Sequence, residues 1–146
     1  MKRFLLFVVV FALALAACAP KAKAPAANML KVSDGTISKT YTADDLKALG
    51  EVQATFQGVT YVGVPLTVLL KDAGIDPTKL TAVKAVAVDG FTANYDSTLF
   101  SRDDTIVAYA TVDGPLGAED APFRMVLPNE GGKMNPRQLV EIVAIP

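Results

Sequence analysis

The stretch that decides the fold runs from residue 61 to residue 74 and reads Tyr61-Val62-Gly63-Val64-Pro65-Leu66-Thr67-Val68-Leu69-Leu70-Lys71-Asp72-Ala73-Gly74. Proline is favoured at the first position of a helix, so Pro65 predicts a helix start. The apolar residues after it recur at the spacing of one helix face, at Leu66, Leu69, Leu70 and Ala73. Gly74 predicts the end of this short amphipathic helix.

Strand-like segments surround this helix on both sides. Residues 30–32 and 36–41 flank Ser33-Asp34-Gly35, which is a hairpin signal. Thr42 predicts the cap of another short helix that ends before Gly50. Further strands are predicted at residues 83–88, 91–95, 105–112, 123–127 and 139–145, with Asp-Gly turns at 89–90 and 113–114. Because no regular βαβ rhythm appears, we predict a single α+β domain with a mixed, mainly-β sheet and two or three short helices.

The N-terminus predicts an export signal that ends in a lipidation site. Met1-Lys2-Arg3 is followed by an unbroken apolar run over residues 4–14, which is too short to span a membrane. The following Leu15-Ala16-Ala17-Cys18 resembles the lipobox of bacterial lipoproteins, whose cysteine receives a diacylglycerol and becomes the new N-terminus. We therefore expect a signal peptide over residues 1–17 and lipidation of Cys18. The alternative is a plain secretory signal with an incidental cysteine.

The segment after Cys18 is rich in Ala, Pro and Lys, with no larger apolar side chain to pack. We interpret residues 18–28 as a lipidated cysteine and tether, and residues 29–146 as the folded domain. This organisation predicts a protein that is lipid-anchored to a membrane of the bacterial cell envelope, facing the periplasm or the exterior.

Composition excludes several classes of function. The chain has 146 residues, one Cys and no His, so Ser-His-Asp or Cys-His catalysis, histidine metal sites and cysteine clusters are all excluded. The 14 basic residues include Lys2 and Arg3; without these two, 12 basic residues face 15 acidic ones and the net charge is −3. An acidic domain does not attract nucleic acid, so we expect no nucleic-acid partner. Asp103-Asp104 and Glu119-Asp120 lack calcium-loop spacing, so we predict no metal site.

One polar segment is a candidate ligand site. The glycine-rich turn over residues 129–133, together with nearby basic side chains, could bind a small anion such as phosphate. The candidate ligand-binding residues are Arg124, Asn129, Gly131, Gly132, Lys133 and Arg137, with Tyr61, Phe91 and Tyr95 as candidate stacking walls. The alternatives are an ordinary connection between strands, core roles for the three aromatics, and an outward-facing Arg124 paired with a carboxylate such as Glu141.

The order of motifs from Tyr41 to the C-terminus resembles the oxidoreductase molybdopterin-binding domain family, the fold of sulfite oxidase and its bacterial relatives. The motifs that carry the resemblance are Tyr41-Thr42-Ala43-Asp44-Asp45-Leu46, Tyr61-Val62-Gly63-Val64-Pro65-Leu66, Leu69-Leu70, Ala73-Gly74, Val86-Ala87-Val88-Asp89-Gly90-Phe91, Ile106-Val107-Ala108-Tyr109, Asp113-Gly114-Pro115-Leu116, Ala121-Pro122-Phe123-Arg124-Met125-Val126-Leu127-Pro128 and Leu139-Val140-Glu141-Ile142. The resemblance implies a sulfite oxidase-type molybdopterin-domain fold.

Departures from the family pattern decide the functional interpretation. In catalytic members a cysteine thiolate before the aromatic-Gly-Val segment coordinates molybdenum, but residues 51–58 here contain no Cys. Asn135-Pro136-Arg137-Gln138 also replaces a Lys-Trp pair that often precedes the closing strand. We therefore favour a non-catalytic, membrane-anchored domain that binds a small anionic ligand or an envelope protein and holds no cofactor. The alternatives are a molybdopterin-dependent oxidoreductase or cofactor carrier, and an envelope-structural lipoprotein.

Overall fold

The computed structural model describes residues 28–146; the predicted signal peptide, Cys18 and the tether up to residue 27 lie outside the described residues. In chain order the elements are β1 Leu30–Ser33, β2 Ser38–Tyr41, α1 Ala43–Ala48, β3 Val52–Phe56, β4 Val59–Pro65, α2 Leu66–Asp72, β5 Ala82–Ala87, β6 Thr92–Asp96, α3 Ser97–Phe100, β7 Ile106–Thr111, β8 Gly114–Pro115, β9 Arg124–Val126 and β10 Leu139–Ile145, with 3₁₀ helices at Pro77–Lys79 and Gly132–Met134. Within this part of the chain, no helix is long and apolar enough to cross a membrane.

Five strands form a mixed sheet in the order β2-β1-β10-β5-β6. The chain's closing strand β10 lies parallel to β1, and every other neighbouring pair is antiparallel. The predicted hairpin joins β1 to β2, where the Asp34 carboxylate accepts hydrogen bonds from the amides of Thr36 and Ile37. The predicted mixed sheet and the α+β class are therefore confirmed.

The other strands form a second, fully antiparallel sheet with β3, β4 and β7 side by side. The far edge of β7 is shared by β8 and β9, which pair with different parts of it. The hairpin of β3 and β4 was not among the sequence predictions. Its two-residue turn is made by Gln57 and Gly58, both with positive φ, which is the conformation that a tight hairpin requires.

Three short α-helices complete this part of the chain. Helix α1 begins at the predicted cap: the Thr42 hydroxyl accepts from the Asp45 amide, and the Asp45 carboxylate accepts from the Thr42 amide. Helix α2 begins directly after Pro65 and buries Leu66, Leu69 and Leu70, as predicted. Helix α3 was not predicted, because four residues after a capping Asp96 are too few for a periodic signal.

The domain contains two hydrophobic cores on opposite faces of the antiparallel sheet. The larger core joins the inner face of the mixed sheet, helices α1 and α2, and one face of the antiparallel sheet. The smaller core lies on the other face, around Phe56, Tyr61 and Ile106, and is covered by Leu116 and Ala121 from the loop before β9. This second core is the floor beneath the candidate site.

Candidate functional site

Arg124 in β9 is buried, with only 2% of its surface exposed. Its Nη1 donates to the Tyr61 hydroxyl at 2.7 Å and to Asp120 Oδ1 at 2.9 Å. The guanidinium also lies over two aromatic rings, 4.5 Å from the centre of the Tyr61 ring and 5.6 Å from that of Phe56. Arg124 therefore belongs to the smaller core.

The alternative of an outward-facing Arg124 is wrong; the residue does pair with a carboxylate, but that carboxylate is Asp120 and not Glu141. Glu141 instead lies 2.8 Å from the Lys31 ammonium across the parallel pair of strands. Arginine is seldom buried unless it is paired, and here Asp120 and Tyr61 supply the pairing groups. Asp120 lies four residues before Arg124 in the preceding loop, whereas Tyr61 is 63 residues away in β4.

Tyr61 and Asp120 complete a closed polar network with Arg124, which we call the Arg124 network. The Tyr61 hydroxyl also donates to Asp120 Oδ2 at 3.4 Å. Burial raises the pKa of Tyr61, while the positive charge of Arg124 opposes that rise. No buried side-chain nitrogen or oxygen among residues 28–146 lacks a hydrogen-bond partner, so this network is fully satisfied.

Arg137 connects the Arg124 network to the surface. Its Nε lies 3.2 Å from Asp120 Oδ1, the same oxygen that binds Arg124, and its Nη1 lies 2.9 Å from Glu119 Oε2. Asp120 is 16% exposed, Arg137 is 52% exposed and Glu119 is 84% exposed. The ion pairs therefore range from the buried Arg124–Asp120 pair to the solvent-exposed Arg137–Glu119 pair.

Arg137 opens onto a surface hollow of about 390 Å³, which we call the Arg137 hollow. Its lining combines two cations, two carboxylates, two side-chain amides and an apolar wall, contributed by Ala87, Asp89, Phe91, Glu119, Gly132, Lys133, Asn135, Pro136, Arg137 and Gln138. Lys133 makes no ion pair with any described residue. Phe91 is 42% exposed, so its ring is available to a ligand. The hollow therefore presents two cationic side chains beside an aromatic surface.

The predicted glycine-rich turn is closed by a side chain that the sequence analysis did not single out. Asn135 is buried; its Oδ1 accepts from the Leu127 amide at 2.7 Å and its Nδ2 donates to the Gly131 carbonyl at 3.1 Å. Gly132 begins a three-residue 3₁₀ helix, which is too short to supply a helix-dipole site. The turn therefore places Lys133 and Gly132 at the surface hollow described above.

The structure separates the predicted site residues into four groups. Gly132, Lys133, Arg137 and the wall residue Phe91 come together in the Arg137 hollow. Arg124 and Tyr61 lie beneath it in the smaller core, and Asn129 and Gly131 lie outside the lining. Tyr95 is fully buried and donates to the Met134 carbonyl at 3.0 Å, so it supports the turn from below.

Comparison with protein-family models matches residues 36–146 to the oxidoreductase molybdopterin binding domain. The chain belongs to this family. The matched region begins five residues before Tyr41, the first residue of the motifs that carry the resemblance. The match confirms that resemblance. No curated protein matches the chain.

A solved structure of the same fold is the sulfane dehydrogenase SoxCD from Paracoccus pantotrophus. The two share 19% sequence identity and a TM-score of 0.68; the match covers 81% of this chain and 38% of that one. The chain therefore spans well under half the length of this relative. At this identity the match establishes the fold, and the predicted sulfite oxidase-type molybdopterin-domain fold is confirmed.

Membership of the molybdopterin-binding family raises the question of whether this chain's residues fit the metal group. The family's metal-binding cysteine would lie in residues 51–58, which here form β3 and the tight turn after it. Ala54 and Phe56 point into the smaller core, while Gln53 and Thr55 are exposed. None of these side chains is a soft donor, and the described residues hold no group of three or more metal-ligating side chains. The donor set of this stretch does not fit thiolate-ligated molybdenum.

Proposed function

We propose that the protein is a lipid-anchored, non-catalytic member of the molybdopterin-binding family that binds a small organic anion in the Arg137 hollow. The observation that carries this proposal is the convergence of Lys133 and Arg137 on one hollow beside the exposed ring of Phe91. Pockets for small ligands typically combine an apolar wall with a few placed polar groups, and about 390 Å³ is within their usual range of roughly 300–1,000 Å³.

The chemistry of the lining favours a carboxylate or phosphate that carries a flat apolar group. Arginine presents a planar fork of donors that matches the two oxygens of such an anion, and lysine adds a point charge. The ring of Phe91 and the buried Pro136 form the apolar part of the wall. A neutral ligand would leave Lys133, which makes no ion pair with any described residue, without a counter-charge.

The non-catalytic part of the proposal rests on the donor set of the β3–β4 hairpin. Cysteine thiolates are soft metal ligands, and neither strand of this hairpin contains a cysteine. A molybdopterin-dependent oxidoreductase or a cofactor carrier is the alternative, favoured by the family match. The hollow could also take an acidic group of an envelope protein, and an envelope-structural role is the second alternative.

The anchoring part of the proposal rests on the sequence before the described residues. We propose that cleavage before Cys18 and acylation of its thiol attach the domain to a membrane of the bacterial cell envelope. Mass spectrometry of the purified full chain should then find a diacylglycerol-modified Cys18 as the first residue. The Cys18→Ser variant should lose the acyl mass and leave the membrane fraction. An unmodified Cys18 in a membrane-free protein would contradict this part.

Binding is tested by titrating the ¹⁵N-labelled full chain, purified in mild detergent, with phenyl phosphate and with phenol as the uncharged control. We expect phenyl phosphate to shift the amide signals of Gly132, Lys133 and Gln138, and phenol to have no such effect. Lys133→Gln and Arg137→Gln should each weaken binding about fivefold or more, because each removes a charged hydrogen-bond donor.

The matched control is Lys79→Gln, which removes the same charge from the other 3₁₀ helix, Pro77–Lys79. This variant should bind phenyl phosphate as the unaltered chain does. Equal weakening by Lys79→Gln and Lys133→Gln would indicate a non-specific charge effect. That result, or no shift at the hollow in any variant, would contradict the binding proposal.

A further inference from the structure

We propose that Glu119 is a built-in competitor for the Arg137 hollow: its carboxylate occupies the Nη1 donor of Arg137 until a ligand's carboxylate or phosphate displaces it. This inference rests on the proposed function, since it concerns how the same hollow admits its anion. It assigns to Glu119 a control of affinity that Asp120, its neighbour in the chain, does not share.

The two carboxylates that contact Arg137 differ in how firmly they are themselves held. Its Nε faces Asp120, and Asp120 is in turn fixed by the buried guanidinium of Arg124. The position of the Arg137 guanidinium is therefore set by the smaller core beneath it. Its Nη1 faces the opposite carboxylate, that of Glu119, at 2.9 Å.

The two carboxylates on Arg137 differ in their freedom to leave. Asp120 is 16% exposed and accepts from Arg124 and Tyr61 as well as facing Arg137, so its removal would leave buried donors unpaired. Glu119 is 84% exposed, and Arg137 is its one side-chain partner among the described residues. An exposed ion pair of this kind contributes little to stability, so Glu119 can turn into water at small cost.

The geometry also indicates which ligand groups can displace the Glu119 carboxylate from Arg137. The displaced group is a carboxylate on an Nη donor, and the incoming group must offer an anionic oxygen at the same place. Lys133 and Phe91 line the same hollow, so an anion that also contacts a second cation and a ring surface competes better than a free carboxylate. Ligands with a single charged oxygen-bearing group next to an aromatic ring fit this requirement.

The test is the affinity of the full-length Glu119→Gln chain for phenyl phosphate, measured by the same amide titration. If the Arg137–Glu119 ion pair is formed in most molecules, the Nη1 donor is free in only a small fraction of them. Apparent affinity scales with that fraction, so removing the ion pair should tighten binding about three- to sixfold. The control is Asp103→Asn, which removes an equal charge from an exposed residue in the groove beside α2 and α3. We expect less than a twofold change there.

The outcomes separate this inference from the proposed function. Tighter binding by Glu119→Gln alone, or binding seen only in that variant, supports competition. Equal affinities in the unaltered chain, Glu119→Gln and Asp103→Asn overturn the competition but leave the hollow as a binding site. A lack of binding in both the unaltered chain and Glu119→Gln overturns both.

Discussion

Gly63 in β4 pairs with Ala108 in β7, beside an irregularity in the strand register between Val62 and Gly63. A Cβ at this position would lie 2.3 Å from the Val107 carbonyl oxygen and 2.7 Å from the Ala108 Cα. Because both obstacles are backbone atoms, Gly63→Ala should lower the free energy of unfolding by about 3 kcal/mol. Urea unfolding followed by circular dichroism measures this. Gly117→Ala, with open space around its Cβ, should change stability by less than about 0.5 kcal/mol.

Arg124 and Arg137 share Asp120 but should respond differently to the same substitution. Arg124→Met breaks a buried ion pair and leaves the Tyr61 hydroxyl without its donor, so we expect a loss of about 3 kcal/mol or more in unfolding free energy. Arg137→Met removes half-exposed ion pairs and should lower the free energy of unfolding by less than about 1 kcal/mol. Equal losses in urea unfolding would contradict the assignment of Arg124 to the core and Arg137 to the hollow.

At the scale of single elements, α1 depends on its cap because it has only six residues. Thr42 and Asp45 satisfy each other's amides in a reciprocal capping box. Thr42→Ala should therefore cost about 1 kcal/mol of unfolding free energy. Asp44→Ala, which removes an exposed pair with Lys47 on the same helix, should cost less than about 0.5 kcal/mol. Thermal unfolding of both variants compares the two effects.

Elements with a local signal were predictable from the sequence, and those without one were not. The capped helix α1, the apolar face of α2 and the β1–β2 hairpin each depend on neighbouring residues, and all three were predicted. The β3–β4 hairpin does show alternation, with Val52, Ala54 and Phe56 facing inward, but Gln57 at φ 51° is an unusual turn residue that conceals the turn. From the sequence, residues 51–58 indicated only that the family's cysteine is absent.

The candidate site was predictable in part, for a physical reason. Lys133, Arg137 and Phe91 come together because the sequence places them shortly before β10 and β6, the two strands on either side of β5 in the mixed sheet. The burial of Arg124 was not predictable, because it depends on Asp120 and Tyr61 meeting it from a loop and a second strand. Tertiary pairing of this kind leaves no periodic trace in the sequence.

At the scale of the whole molecule, the four tyrosines are distributed over both cores, and the pKa of each is raised mainly by burial. For Tyr109, burial and its hydrogen bond to Glu51 raise the pKa to about 12. An unfolded chain ionises its tyrosines near pH 10. The unfolded state therefore releases its tyrosine protons first, and the tyrosines' contribution to stability, which is constant below pH 10, should be lost as the pH rises toward 12.

A spectrophotometric titration measures this directly, since the chain contains no tryptophan to interfere with tyrosinate absorbance. The folded protein should show little tyrosinate at pH 10.5, and the same chain in concentrated urea should show most of it. Tyr109→Phe should reduce the alkaline loss of stability. Tyrosinate formation near pH 10 in the folded protein would contradict the burial of these side chains.

The central claim is that this family member carries no molybdenum centre. The most direct measurement is the molybdenum and pterin content of the full chain, expressed in a host that makes the cofactor and purified in mild detergent. A thiolate-bearing family member purified from the same host shows that the cofactor is available. We predict only traces of molybdenum and released oxidised pterin in a folded protein. One molybdenum and one pterin per chain would contradict the claim.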